Sequence, residues 1–93
     1  LVVVNNIPGH KQYRQWASFN LSENNRYQVF IPPGFGNGHL VLTDKAIFSY
    51  KQSSYYNPKR QFTLLWNDPK LNLRWPINNP ILSKRDQIGH FID

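Results

Sequence analysis

The sequence contains no cysteine and no methionine among its 93 residues. The lack of cysteine excludes a disulfide framework and a thiolate zinc site, and it leaves the cellular compartment open. No apolar run approaches the about 20 residues that a membrane-spanning helix needs, so we expect no membrane segment. We also expect no charged and then apolar leader, because Leu1 begins a strand-like stretch of valines.

Acidic residues are also few, with 5 Asp and Glu against 11 Lys and Arg, and the formal net charge is +6. Such a balance is compatible with nucleic-acid binding. The cations are scattered, however, with no run longer than two, and no known nucleic-acid motif is present. We therefore expect no nucleic-acid partner. A nucleotide sugar or another phosphate ligand would account for a basic site, and for most of the cations a surface without a ligand is the simpler explanation.

Hydrophobic residues make up 40% of the chain and aromatic residues 15%, which indicates a packed domain rather than a disordered segment. Residues 1–93 are the size of a single small domain. A domain of this length buries only about two thirds of its unfolded surface. Its stability therefore depends on a good core or on a second subunit that covers part of it.

Short alternating segments bounded by turn residues predict strands, and helical periodicity is almost absent. We expect Trp16–Ile31 to form a hairpin and Pro32–Gly38 to form a turn. Leu82–Asp86 can begin a helix with Ser83 as its N-cap. The pattern favours an all-β antiparallel sandwich or barrel. The predicted strands are Leu1–Val4, Trp16–Leu21, Arg26–Ile31, His39–Thr43, Ala46–Gln52 and Gln61–Trp66.

Tyr50 stands out within the central stretch from Phe30 to Tyr56. Because side chains alternate along a strand, Ala46, Phe48 and Tyr50 share one face, which we expect to point inward. An enclosed tyrosine hydroxyl normally has a hydrogen-bond partner. Tyr50 can therefore fill a β-core with its hydroxyl bonded, or it can act as a proton donor at the mouth of a barrel.

The histidines do not indicate a metal site. Pro32–Asn37 resembles the second conserved motif of the cupins, which usually ends in a metal-binding histidine, but Asn37 occupies that position here. An amide oxygen is a poor substitute for imidazole on a transition metal, and no His-x-His pair exists. We expect no metal. His39 is predicted to lie on a sheet surface, and His10 and His90 are predicted to lie in loops.

Several further motifs follow one another along most of the chain. Together, and in this order, they resemble the C-terminal part of the dTDP-4-dehydrorhamnose 3,5-epimerase family. The motifs are Leu21-Ser22-x-x-Asn25, Pro32-Pro33-Gly34-Phe35, Tyr50-Lys51 with Tyr55-Tyr56-x-Pro58, Trp66-Asn67-Asp68-Pro69, Trp75-Pro76 and Ile81-Leu82-Ser83-Lys84-Arg85-Asp86.

This resemblance implies an all-β RmlC-like cupin jelly-roll barrel, here incomplete because the N-terminal strands are absent. It also implies a cytoplasmic homodimer that acts without a metal or another cofactor. The implied substrate is a nucleotide-linked 4-keto-6-deoxy sugar. Its ketone acidifies the neighbouring carbons, so that a base can remove a proton and an acid on the opposite face can return one.

The resemblance also implies roles for individual residues. Tyr50 matches the proton-donor tyrosine of the family, and Asp86 matches the carboxylate that orients and charges the catalytic histidine. Tyr56 matches the tyrosine that stacks on the nucleotide base. Arg85 lies where a lysine usually helps to bind the substrate, so that a positive charge is retained.

Two substrate-binding positions differ from the family pattern. Asn37 replaces a histidine, although its neutral amide can still donate a hydrogen bond to an oxyanion. Gln61 replaces a glutamate. The segment Gly34–Asn37 is similar to that of relatives that epimerise GDP-linked keto-heptoses, so the sugar and the nucleotide both stay open.

The base histidine of the family lies in an Arg-Gly-Leu-His-type strand, before the region where this chain begins. Neither His10 nor His39 matches that context. Our first hypothesis is an epimerase, inactive as residues 1–93 alone, whose base is encoded upstream or supplied by another chain. The alternative is a degenerate, non-catalytic cupin remnant that binds a sugar nucleotide or serves as a dimerisation module.

Overall fold

The computed structural model describes residues 1–93. A three-stranded antiparallel sheet forms its centre, with β1 between the other two strands in the order β2-β1-β3. No helix has the length and apolar character needed to cross a membrane. The elements are β1 at Val2–Asn5, β2 at Trp16–Ser18, β3 at Phe35–Gly38, a 3-10 turn at Pro58–Arg60 and the helix α1 at Lys84–Gln87.

One face of the sheet carries the core. Val2 and Val4 alternate along β1, so both point to this face, where they are buried with Leu71 and Ile92. Trp16 in β2 packs beside them and donates its indole N–H to the carbonyl of Leu71 at 3.0 Å. This bond ties the edge of the sheet to the segment that covers it.

Glycines in β3 leave room for large side chains on that face. Gly36 lies opposite Val4, and a Cβ atom on it would be 3.3 Å from the Cδ1 of Leu64. A Cβ atom on Gly38 would be 3.6 Å from the indole of Trp75. The two missing side chains therefore allow residues from the second half of the chain to pack directly against the strand.

The opposite face of the sheet bears a row of three side chains, Val3, Ala17 and Asn37, which we call the outer row. Val3 is paired with both of the others in the register of the sheet. Val3 is half-buried, whereas Ala17 and Asn37 are exposed. Asn37 thus stands on a sheet face that no other element covers.

Asp68 links the segment that contains Leu71 to the C-terminal segment that contains Ile92. It is buried to 1% exposure, and its two carboxylate oxygens accept backbone N–H groups from Lys70 at 2.9 Å and from Ile92 at 2.7 Å. Hydrogen bonds of this charge-assisted kind are stronger than neutral ones. A parallel bridge between Leu64 and His90 brings the same two segments side by side.

Several predicted elements are confirmed. The strand predicted at Leu1–Val4 is β1, shifted by one residue, and the strand predicted to start at Trp16 is β2, which ends at Ser18. Ser83 is the N-cap of α1, and its hydroxyl accepts the backbone N–H of Asp86 at 3.2 Å. This bond satisfies one of the free donors of the first helical turn.

The predicted hairpin at Trp16–Ile31 is wrong, because β2 pairs with β1 instead. The turn predicted at Pro32–Gly38 is wrong in its second half, which forms β3. Only one bridge, at Leu64, forms in the predicted strand Gln61–Trp66. The predicted strands without any strand pairing are Arg26–Ile31, His39–Thr43 and Ala46–Gln52.

These three segments do not form strands because they have no pairing partner. A strand is stabilised by hydrogen bonds to a neighbour and by burial of one face. Ile47 is 98% exposed and Phe30 is 88% exposed, and no residue of the three segments is fully buried. The chain makes 22 backbone hydrogen bonds, where about 60 are expected for a folded domain of this length. The predicted β class is confirmed, since the main element of the structure is a small antiparallel sheet.

Candidate functional site

A cleft of about 500 Å³ lies beside the 3-10 turn. Its lining is mostly polar and includes Tyr56, Arg60 and Gln61. The side chain of Asn57 caps the turn by accepting the backbone N–H of Lys59 at 3.1 Å. This cap fixes the chain direction between Tyr56 and Gln61, and so places an aromatic ring, a cation and an amide around one opening.

Arg85, in the C-terminal part of the sequence, contacts a residue that lines this cleft. Its guanidinium donates a hydrogen bond to the Oε1 of Gln61. Both residues were predicted from the sequence to bind substrate, and so was Tyr56, which lines the same cleft. The structure therefore brings together three of the four predicted substrate-binding residues.

The short helix α1 carries Arg85 and Asp86 on different sides. Successive residues of a helix are turned by about 100°, so the two side chains diverge. Arg85 is exposed and turns to Gln61, whereas Asp86 is half-buried. Asp86 also contributes its backbone N–H to the cap at Ser83. The predicted catalytic carboxylate is thus carried by the capped first turn of α1.

Tyr50 does not line this cleft, and the prediction that it is an enclosed phenol is wrong for this structure. Its side chain is 68% exposed, because no element packs over the extended segment around it. It does lie against Phe48, as the alternation predicts, with 5.7 Å between the ring centroids. The ring of His39 in turn stacks on Phe48, with centroids 4.0 Å apart.

Asn37 lies apart from the cleft, on the outer row of the sheet. The predicted site residues therefore fall into three places. The first is the cleft of Tyr56 and Gln61, with Arg85 bonded to Gln61 and Asp86 next to Arg85 in α1. The second is the ring contact of Tyr50 with Phe48, and the third is Asn37 on the sheet.

The two remaining histidines are occupied by structural contacts. The Nδ1 atom of His10 accepts the backbone N–H of Gln12 at 3.0 Å and lies 3.3 Å from the amide nitrogen of Asn5. His90 stacks on Phe62, with ring centroids 5.2 Å apart. No group of three or more His, Asp or Glu side chains comes together in a way that could hold a metal ion.

Sequence reasoning missed Arg60 and the contact of His39 with Phe48. Arg60 lines the cleft directly before Gln61 in the chain. Its position after the turn signal Asn57-Pro58 could have indicated a cation held near the predicted ligands. The contact between His39 and Phe48 has no sequence signal, because it joins two segments that form no strand pair.

Comparison with known proteins identifies relatives along the whole chain. The family model described as dTDP-4-dehydrorhamnose 3,5-epimerase matches residues 1–93. A dTDP-4-dehydrorhamnose 3,5-epimerase of Neisseria gonorrhoeae is 43% identical over 89 residues, which are 95% of this chain and 27% of the relative. The enzyme of the same name from Shigella flexneri is 40% identical over 82 residues, 87% of this chain and 45% of the relative.

A dTDP-4-dehydrorhamnose 3-epimerase of Streptomyces niveus is 34% identical over 86 residues, 92% of this chain and 42% of the relative. The chain thus spans less than half the length of each of these three relatives. The match of the family model nevertheless extends from the first residue to the last. The chain belongs to the dTDP-4-dehydrorhamnose 3,5-epimerase family.

Proposed function

We propose that residues 1–93 supply the proton donor and the nucleotide-binding part of a nucleotide-sugar 3,5-epimerase. The substrate is a nucleotide-linked 4-keto-6-deoxy sugar. The observation that carries this proposal is the hydrogen bond between Gln61 and Arg85 at the cleft of Tyr56. Gln61 and Arg85 are far apart in the sequence, and both match substrate-binding positions of the family; they meet at the edge of this cleft.

The reaction follows from the chemistry of the ketone. A base removes the proton from a carbon beside the ketone, and the electron pair passes to the ketone oxygen to form an enolate. The Tyr50 hydroxyl then gives its proton to that carbon from the opposite face, which inverts the configuration. The phenolate regains a proton from solvent, and the protonated base returns its own proton to solvent, so that both groups are restored. Because the substrate's own ketone accepts the electron pair, this scheme calls for no cofactor.

In this proposal the cleft binds the nucleotide. The ring of Tyr56 stacks on the base, and the guanidinium groups of Arg85 and Arg60 face the diphosphate. Arginine suits such a ligand because its planar fork makes two parallel hydrogen bonds to phosphate oxygens. Gln61 holds the Arg85 side chain in place through its hydrogen bond. Asn37 donates its amide N–H to the enolate oxygen.

We assign the base to a histidine outside residues 1–93, oriented by the carboxylate of Asp86. The histidines of the chain itself fit this role poorly, since His10 and His90 are engaged in other contacts. In our proposal the remaining polypeptide completes an RmlC-like jelly-roll barrel, and the outer row with Asn37 faces its interior. We further propose that the complete enzyme is a homodimer in the cytoplasm.

The exposure of Tyr50 favours a second candidate function. At 68% exposure its phenol lacks the enclosed surroundings in which a proton donor is shielded from water. The chain could then be a non-catalytic cupin remnant that binds a sugar nucleotide at the Tyr56 cleft, or that serves as a dimerisation module. Such a protein would bind the nucleotide sugar without exchanging the protons beside its ketone.

Replacement of Tyr50 by Phe tests the proposed function. The assay enzyme is residues 1–93 or, if these are inactive, residues 1–93 joined to the part of the Shigella flexneri relative that they do not match. Loss of a general acid should lower inversion by at least about a hundredfold. Deuterium exchange from solvent beside the ketone should persist, because the base still removes protons. The matched control is Tyr27→Phe, since Tyr27 is 68% exposed, as Tyr50 is, and does not line the cleft.

Three results would contradict the proposal. Unchanged inversion in the Tyr50→Phe enzyme would remove Tyr50 as the acid. Binding of the nucleotide sugar with neither exchange nor inversion in the wild type would favour the remnant. Strongly salt-dependent binding of single-stranded nucleic acid, without binding of the nucleotide sugar, would contradict both functions. Product analysis of the wild type would show inversion at one carbon or at two.

A further inference from the structure

His39 is a histidine whose ring contact lies outside both the sheet and the core. His10 is bound within its own loop, and His90 belongs to the bridge with Leu64. His39 follows directly after β3 and is exposed to solvent. Its imidazole nevertheless lies flat on the ring of Phe48, with centroids 4.0 Å apart and planes within 12° of parallel.

The row of rings continues to the proposed proton donor. The centroids of Phe48 and Tyr50 are 5.7 Å apart, with the planes inclined by 42°. Both separations lie in or near the range of favourable aromatic pairs, about 4.5–7 Å. His39, Phe48 and Tyr50 therefore form a continuous row, which we call the aromatic row.

Ring contacts matter more here than they would in a regular sheet. Residues 39–56 form no strand, so hydrogen bonds to a neighbouring strand do not fix the direction of the Tyr50 side chain. Phe48 itself is 46% exposed and has no place in the core. The imidazole of His39 is the ring that packs on Phe48 besides Tyr50.

We propose that His39 is a positioning residue for epimerisation, which acts by stacking on Phe48 and so holding the ring of Tyr50 in line with the substrate carbon. This role rests on the proposed function of Tyr50 as the acid. Proton delivery depends on geometry, and a displacement of about 1 Å can cost on the order of a hundredfold in rate. The aromatic face of His39 performs this role, rather than its ability to carry a proton.

Two replacements of His39 separate stacking from proton transfer. In the assay enzyme, His39→Ala should lower kcat for inversion by about three- to tenfold, as expected for the loss of one aromatic pair. KM should stay within about twofold, because the Tyr56 cleft lies elsewhere, and deuterium exchange should be unchanged, because the base is untouched. His39→Phe keeps a stacked ring, so inversion should stay within about twofold of wild type.

Inversion at the wild-type rate in His39→Ala would overturn the proposal. An equal loss in His39→Phe and His39→Ala would also overturn it, since the imidazole would then act through its nitrogen atoms. If His39→Ala fails to fold, Phe48→Leu breaks the same row at its centre while His39 is kept. This variant should show the same fall in inversion with unchanged exchange, and a wild-type rate would again contradict the role.

A measurement on residues 1–93 without any substrate keeps this inference separate from the proposed function. In proton NMR spectra, stacked rings shift each other's resonances through their ring currents. The Tyr50 ring signals should move toward their unstructured positions in Phe48→Leu and in His39→Ala, and they should stay displaced in His39→Phe. Identical Tyr50 signals in all four proteins would refute the aromatic row. Wild-type inversion in Tyr50→Phe would instead refute the acid role and leave the NMR result standing.

Discussion

Two regions of this chain, the buried core and the segment 41–62, differ in what surrounds them. All six buried residues lie in β1, at positions 68 and 71, and at position 92, whereas every residue from 41 to 62 is exposed. Yet Tyr50, Tyr56 and Gln61, which carry much of the proposed chemistry, lie in the exposed region. The core thus acts as a scaffold, and the proposed reacting groups lie on the segment that it leaves uncovered.

The difference does not come from the apolar pattern. Val2 in β1 is 6% exposed and Ile47 in the predicted strand Ala46–Gln52 is 98% exposed, although both lie in alternating or β-branched stretches. β1 has a strand on each side and Leu71 and Ile92 over one face. Ile47 has neither. Pairing and covering by other segments, rather than local preference, decide which of these stretches becomes a strand.

The largest expected effect is the behaviour of residues 1–93 by themselves. Sixteen large hydrophobic side chains are exposed and only four hydrophobic residues are buried, so we predict self-association and no epimerase activity. Joining the part of the Shigella flexneri relative that the chain does not match should cover the exposed region, and so give a monodisperse dimer with turnover.

Light scattering and proton exchange on a 4-keto-6-deoxy sugar nucleotide check this prediction. Exchange by residues 1–93 above the buffer rate, abolished by Tyr50→Phe, would show that the chain supplies its own base. His39 would then be the first candidate. A monodisperse monomer would contradict the predicted self-association, and it would mean that the exposed region needs no partner.

The second-largest expected effect is a difference in stability between a substitution in the core and one in the exposed region. Leu71 is 4% exposed, so Leu71→Ala should lower the free energy of unfolding by about 2–4 kcal/mol through lost burial and a cavity. Ile47→Ala removes a side chain that is 98% exposed and should change it by less than about 0.5 kcal/mol. Urea denaturation of both variants measures the difference. A similar loss in Ile47→Ala would show that the exposed region is packed in solution.

Tyr56→Ala should act on binding alone. Stacking on a base contributes about 1–3 kcal/mol, so the affinity for the nucleotide sugar should fall by about ten- to hundredfold. Tyr56→Phe keeps the ring and should have a mild effect. Calorimetric titration gives the affinities, and unfolding curves should coincide with wild type because the side chain is 64% exposed. A loss of turnover at saturating substrate with unchanged affinity would contradict stacking.

The smallest effect is expected at Gln61. Gln61→Ala removes the acceptor of the Arg85 guanidinium, which frees that side chain but keeps its charge. Since hydrogen bonds at exposed positions contribute little net energy, affinity should fall only about two- to fivefold. Gln52→Ala, another polar residue of the same cleft, is the matched control. Equal affinities in both variants and in wild type would show that the Gln61–Arg85 contact has no role in binding.

The features that could be predicted from the sequence are those that depend on residues close together in the chain. The cap of Ser83 on α1 depends on three successive positions, and β1 depends on a run of valines ended by polar residues. Both were predicted from the sequence. The motif order along the chain likewise identified the family, because it is independent of how the segments pack.

What the sequence could not predict was pairing between distant segments. β3 was taken for part of a turn because its glycines are typical turn residues, but here they make room for Leu64 and Trp75. Tyr50 was expected to be enclosed because alternation gives only a face, and not what lies opposite it. The contact between Gln61 and Arg85 has no signal in either local segment, and only the fold shows it.

The register of the sheet also determines how long β1 waits for one of its partner strands during translation. Val2 pairs with Gly38, which is synthesised 36 positions later. At about 5–20 residues per second, translation takes about 2–7 s to supply the partner of β1 after the strand itself has been made. During that interval β1 can pair with β2 along one edge, but its other edge has no partner. Of the three strands the central one is made first, and its pairing is complete only when the last of the three has been made.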